Sequence, residues 1–130
     1  MKAQTIHETL DVPAEEVFGY LADVANLPAW AIPFCRRLEE TDGQLFVHSP
    51  EGRLAFALSA EPKTQTVCLR FGREHSGLAT YPMVVVALPG GRSLVAFTGW
   101  QLPGVSDAEF DGQVAGMRSE VSRLKAILEG

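Results

Sequence analysis

The feature that most constrains this chain lies at its C-terminal end, from Asp107 to Gly130. Phe110, Val114, Met117, Val121, Leu124 and Leu128 follow one another at spacings of 4, 3, 4, 3 and 4. At about 100° per residue these six side chains fall within about 80° of arc, so the segment predicts one long amphipathic helix with a narrow apolar seam. A helix of this kind is not stable alone and must bury its seam on a partner. Ser106 precedes it as N-cap and Glu109 stands at the third helical position, the pattern of a capping box.

Most of what precedes the helix reads as strand. Residues 2–12 alternate with period two, Ile6, Glu8 and Leu10 against Thr5, His7 and Thr9. Pro13 followed by Ala14-Glu15-Glu16 opens a helix with Val17, Phe18, Tyr20 and Leu21 on its apolar side, stopping near Asp23. Val24 to Trp30 predicts a second short helix, broken at Pro28 and ended before Pro33. Strands are expected over Phe34–Glu40, Gln44–His48, Arg53–Ala60, Thr66–Phe71, Leu78–Leu88 and Ser93–Gln101. Turn residues part them: Thr41-Asp42-Gly43, Pro50-Glu51-Gly52, Glu61-Pro62-Lys63, the polar break Gly72–Gly77, and Pro89-Gly90-Gly91. The order β-α-α-β-β-β-β-β-β-α predicts an α+β fold, an antiparallel sheet with helices on one face, as one domain over residues 1–130. The two short helices are expected to plug one end of the sheet beneath the long helix.

The chain carries a net charge of −5 and its basic residues are scattered, Arg36-Arg37 being the one adjacent pair. Nucleic acid is therefore not expected as a partner, because phosphate binding needs a basic patch. No run approaches 18 apolar residues, so no membrane span is expected. Met1-Lys2-Ala3-Gln4-Thr5 has no apolar signal core, which makes the cytoplasm the expected compartment. Cys35 and Cys68 match no metal spacing and are expected as free thiols. His7, His48 and His75 stand apart, so neither a metal nor another cofactor is expected.

Several motifs resemble the START-like, Bet v 1-like superfamily, which includes polyketide cyclase/dehydrase and lipid-transport proteins. Val12-Pro13-Ala14-Glu15-Glu16-Val17-Phe18 is similar to that family's opening, and Asp23-Val24-Ala25-Asn26-Leu27-Pro28-Ala29-Trp30 to its Asp-x-x-x-(Leu/Tyr)-Pro-x-Trp segment. Gly91-Arg92-Ser93-Leu94-Val95-Ala96-Phe97-Thr98 resembles its last strand, and Val121–Leu128 the end of its last helix. The resemblance implies a helix-grip fold: a curved antiparallel sheet of about seven strands wrapped around the long C-terminal helix, with two short helices after the first strand. It also implies an apolar cavity between sheet and helix. The family has no universal catalytic motif, so no catalytic residue is carried over.

The side chains expected to bind a ligand there are Trp30, His48, Phe56, Leu69, Tyr81, Met83, Phe97, Trp100, Phe110, Val114 and Met117. Leu58, Phe71 and Val85 are further wall candidates, and the run Met83–Leu88 leaves strand parity open. The leading expectation is a binder or carrier of a small hydrophobic molecule: a lipid, a polyketide-like aromatic or an isoprenoid. The alternative is a cyclase or dehydratase, which needs at least two of His48, Arg70, Glu74 and Tyr81 to converge in the cavity. A third reading is an interaction module that pairs two copies through the helical seam; a homodimer through a sheet edge fits any of the three. Gly112 and Gly116 fall on the far side of the helix, which predicts either a close neighbour there or a mobile first half acting as a gate.

Overall fold

The computed structural model describes residues 1–75 and 77–130. Ser76, in the expected polar break, lies outside the described residues. Strand β1 (Ala3–Leu10) leads through Pro13 into helix α1 (Ala14–Ala22). Pro13 holds φ at −60° and caps the helix, and Glu15 and Glu16 place negative charge in its first turn. Ala14, Val17 and Leu21 are its buried stripe. The Asp23 carboxylate then accepts from the Ala25 amide at 3.0 Å, turning the chain through Val24–Asn26 into α2 (Leu27–Trp30). Pro28 does not break this segment, as its position suggests; it sits in the first turn of α2, where its missing N–H would have had no helical partner.

The remaining strands are β2 (Arg37–Thr41), β3 (Gln44–Ser49), β4 (Gly52–Glu61), β5 (Thr66–Gly72), β6 (Ala79–Leu88) and β7 (Arg92–Trp100). They form one antiparallel sheet in the order β1-β7-β6-β5-β4-β3-β2. Asp42 and Gly43, at φ 54° and 77°, make the two-residue hairpin between β2 and β3, with Thr41 opposite Gln44. β2 starts later than its apolar run implies: Phe34 and Cys35 stay outside the sheet, the Cys35 amide donating to the Ala31 carbonyl. Cys35 and Cys68 are both free thiols.

Register settles the parity that Met83–Leu88 leaves open. Phe56 stands opposite Phe71, Leu58 opposite Leu69, Val67 opposite Met83 and Met83 opposite Phe97. Met83 and Val85 therefore face the core, while Val86 is 43% exposed on the outer face.

Helix α3 (Asp107–Glu129) begins with the capping box: the Ser106 hydroxyl accepts from the Glu109 amide at 3.1 Å, and the Glu109 carboxylate accepts from the Ser106 amide at 3.2 Å. Phe110, Met117, Val121 and Leu124 are buried against the concave face. Each such side chain contributes about 1.5–3 kcal/mol of hydrophobic stabilisation. The seam is thus consumed inside the molecule, which removes it as a surface for coiled-coil pairing. α3 packs on β1, β7 and α2, while α1 lies on β4 to β7. Arg123 donates to the Ala29 carbonyl, fastening α3 to α2. Because α3 leans on the β1–β7 side, a gap remains between it and the middle of the sheet. No helix among the described residues is long and apolar enough to cross a membrane.

Candidate functional site

That gap is a cavity of about 370 Å³. Leu69, Phe71, Tyr81 and Phe97 form its sheet side, and Phe110, Met117 and Glu120 its helix side. Pro33 and Phe34 border it from the segment after α2; Ser49, Pro50 and Glu51 border it from the β3–β4 turn. Four aromatic rings run along the wall in sequence. Phe34 and Phe71 are 4.5 Å apart between centroids, Phe71 and Tyr81 are stacked at 4.5 Å and 10°, and Tyr81 and Trp100 at 6.2 Å. Trp100 reaches this row because pairing between β6 and β7 stops at Met83–Phe97. Past that point the indole N–H donates instead to the Thr80 carbonyl at 3.0 Å. Gly99 opens a notch beside it: a Cβ there would stand 2.6 Å from the Met117 sulfur.

Of the side chains singled out in the sequence, Leu69, Tyr81, Phe97, Trp100, Phe110 and Met117 stand on this wall, with Phe71 from the wider set. The others stand elsewhere. Trp30 is buried on α2 where that helix meets α3. Phe56, Met83 and Val85 are buried in the core below the wall, and Phe34 packs over Phe56 at 6.3 Å. Leu58 is half-buried beside Leu69 on the same face. Val114 turns to the opposite flank of α3, towards Lys2, Ala3 and Gln4.

His48 is on the outer face, because Val47 and not His48 has the inward parity of β3. Its imidazole is 2.7 Å from the Glu39 carboxylate, which Arg53 also engages at 2.9 Å. Those hydrogen bonds, with one from Thr41, hold the Glu39 carboxyl well below the usual range, the Arg53 bond contributing most. Arg70 is exposed on the outer face and Glu74 is exposed beyond β5. Of the four residues of which a cyclase reading needs at least two in the cavity, Tyr81 alone lines it.

The sequence reading missed Glu120. It is 7% exposed and lines the cavity from α3. Burial alone pushes its carboxyl up to about 8, so at neutral pH it is mostly a protonated acid. Burial likewise raises the Tyr81 hydroxyl, and raises the nearby Cys35 thiol to about 11. Gly112 and Gly116 are not on an idle outer face. Both line the cavity, so the missing Cβ atoms are missing from its interior. A Cβ on Gly112 would meet no atom within 4 Å, and one on Gly116 would meet only a Glu120 oxygen, at 3.9 Å. On the helical wheel Glu109, Gln113, Gly116 and Glu120 fall between about 240° and 300° from Phe110, a polar and small-residue stripe beside the seam. That stripe was the available signal. Among the described residues no three His, Cys, Asp or Glu side chains converge as metal ligands.

No protein-family model matches the chain, and neither does a curated protein. Solved structures do. The protein XoxI from Bacillus cereus aligns at TM-score 0.78 and 17% identity, over 98% of this chain and 96% of that one. A START superfamily protein from Mycobacterium smegmatis aligns at TM-score 0.69 and 14% identity, over 98% and 97%. This chain has the START-like helix-grip fold. The Zhui aromatase/cyclase from Streptomyces shares it, at TM-score 0.73 and 16% identity over 98% and 93%. At such identities the likeness is one of fold, and the helix-grip scaffold hosts more than one activity.

Proposed function

We propose that this helix-grip protein binds a small, largely apolar molecule in the cavity between α3 and the sheet. The observation that carries the reading is the cavity itself: about 370 Å³, walled by four aromatic rings and aliphatic side chains, with Tyr81 and Glu120 as inner polar groups. The volume is near the low end of the roughly 300–1,000 Å³ of small-molecule sites, which favours a body of one or two fused rings, or a short chain, over a two-chain lipid. Native mass spectrometry of the gently purified protein, with titration of the neutral probe N-phenyl-1-naphthylamine, tests it. A retained small apolar mass or saturable probe binding is expected. Absence of both would sink the reading.

A catalytic reading of the same cavity has one observation in its favour. A carboxylic acid held protonated by burial can act as general acid, and the Tyr81 hydroxyl shares the cavity with it. Likeness in fold to an aromatase/cyclase supports testing a poly-β-ketone for dehydrative ring closure. Turnover that disappears in Glu120→Gln is the result this reading requires.

A further inference from the structure

The titratable groups that line the cavity are all acids. Glu51 and Glu109 stand exposed at its mouth and Glu120 is on its inner wall, and among the described residues no lysine, arginine or histidine lines it. Glu120 has no ion-pair or hydrogen-bond partner among the described residues, and one carboxyl oxygen lies 3.9 Å from where a Cβ on Gly116 would project into the cavity. The aromatic row from Phe34 to Trp100 faces the same space.

We propose that the cavity selects lipophilic amines, with the apolar body on the aromatic wall and the ammonium group against the Glu120 carboxylate. The inference rests on the cavity-binding reading above and adds the ligand's charge to it. A carboxylate or phosphate head would meet three acids and no cation. An ammonium group gains from each part of the site: attraction at the acidic mouth, the negative faces of the rings, and a charge-assisted hydrogen bond inside. The fold already keeps Glu120 out of water, so binding adds the amine's desolvation and the release of the Glu120 proton.

The empty site holds a proton on Glu120 at neutral pH, so amine binding expels that proton and affinity rises with pH until the amine loses its own charge. A neutral ligand held by the protonated acid shows the opposite trend. The other titratable groups lining this space are Glu109 on α3, Glu51 in the β3–β4 turn and Tyr81 on β6, and the buried Cys35 after α2 lies close enough to Glu120 to feel its charge. Tyr81 and Cys35 stay protonated across that range.

Calorimetric titration with 1-naphthylmethylamine, 1-naphthylmethanol and 1-naphthoate, three heads on one ring system, tests the proposal. The amine is expected to bind about tenfold tighter than the alcohol, with naphthoate weakest. Its affinity should rise about twentyfold between about pH 6.5 and about pH 8.5. Glu120→Gln should abolish the preference for the amine. An alcohol that binds as well as the amine, a preference that survives Glu120→Gln, or an affinity that falls over that pH span overturns the proposal. In the first of those outcomes cavity binding itself still stands; binding of none of the three probes removes both readings. The pH series needs only the wild-type protein, so it decides the matter even if the variant does not fold.

Discussion

Replacing Glu120 by Gln should stabilise the protein, by an amount that grows with pH. Burial holds the Glu120 carboxyl protonated up to about pH 8, whereas in an unfolded chain it ionises near its ordinary value of 4.5. The folded state therefore keeps a proton that the unfolded state releases. The stability of the wild type at this site is full below about pH 4.5 and declines as pH rises through 8. Each tenfold step in proton activity between those values is worth about 1.4 kcal/mol, which gives a loss of about 3 kcal/mol at pH 7 and nearly 5 kcal/mol, roughly, at pH 9. Water entering through the cavity mouth lowers both figures, so they are upper bounds. Glutamine has nearly the same shape and no proton to lose. Urea denaturation of wild type and Glu120→Gln at about pH 5, 7 and 9 isolates this site, because the two proteins differ only there. The difference in unfolding free energy should be smallest, below about 1 kcal/mol, at the lowest pH and increase at each step. A difference that stays flat would refute the reasoning, because the carboxyl would then be solvated or partnered in the folded protein.

Four further outcomes are expected. Ser93 is fully buried and its hydroxyl has no hydrogen-bond partner among the described residues, so Ser93→Ala should raise stability by about 1 kcal/mol in the same urea assay; a loss would reveal a buried partner such as water. Gly112→Ala should stabilise α3 by about 0.5–1 kcal/mol, since its Cβ meets nothing. Gly116→Leu should keep the fold while filling the cavity and weakening N-phenyl-1-naphthylamine binding at least about tenfold, a loss of about 1.4 kcal/mol; unchanged affinity would place the probe elsewhere. His48→Ala, on the outer face, should leave probe affinity unaltered, and a change would reopen its exclusion from the site.

Local signals were the most legible part of the sequence. The capping box at Ser106 and Glu109, the glycine turn at Gly43 and the seam of α3 each involve residues a few positions apart, and each is found where the pattern puts it. Strand parity was not legible in Met83–Leu88, because apolar residues stand on both faces; the pairings Val67–Met83 and Met83–Phe97 decide it, and they are long-range. The same gap misplaced His48, whose face depends on which neighbour in β3 points inward. Phe56, Met83 and Trp30 carry the composition of a cavity wall, yet lie one layer deeper, and nothing local to them tells wall from core. Glu120 stood in a charged-looking stretch, Arg118-Ser119-Glu120, and a search for clustered acids passes over a single one. Gly112 and Gly116 were conspicuous but assigned to the wrong side, because the helix was oriented by its apolar seam alone and a cavity was not allowed a face of its own.

Gly99 and Met117 have a consequence for how this protein could vary. One lies on β7 and the other on α3, and the thioether occupies the space that any side chain at position 99 would need. The two positions therefore share a single volume, and a side chain at 99 requires the flexible Met117 thioether to move aside. Among relatives that keep this arrangement, a larger residue at 99 should be accompanied by a smaller one at 117. A paired exchange such as Gly99→Ala with Met117→Val would shift space from one wall to the other, resizing the chamber while leaving its acidic mouth intact.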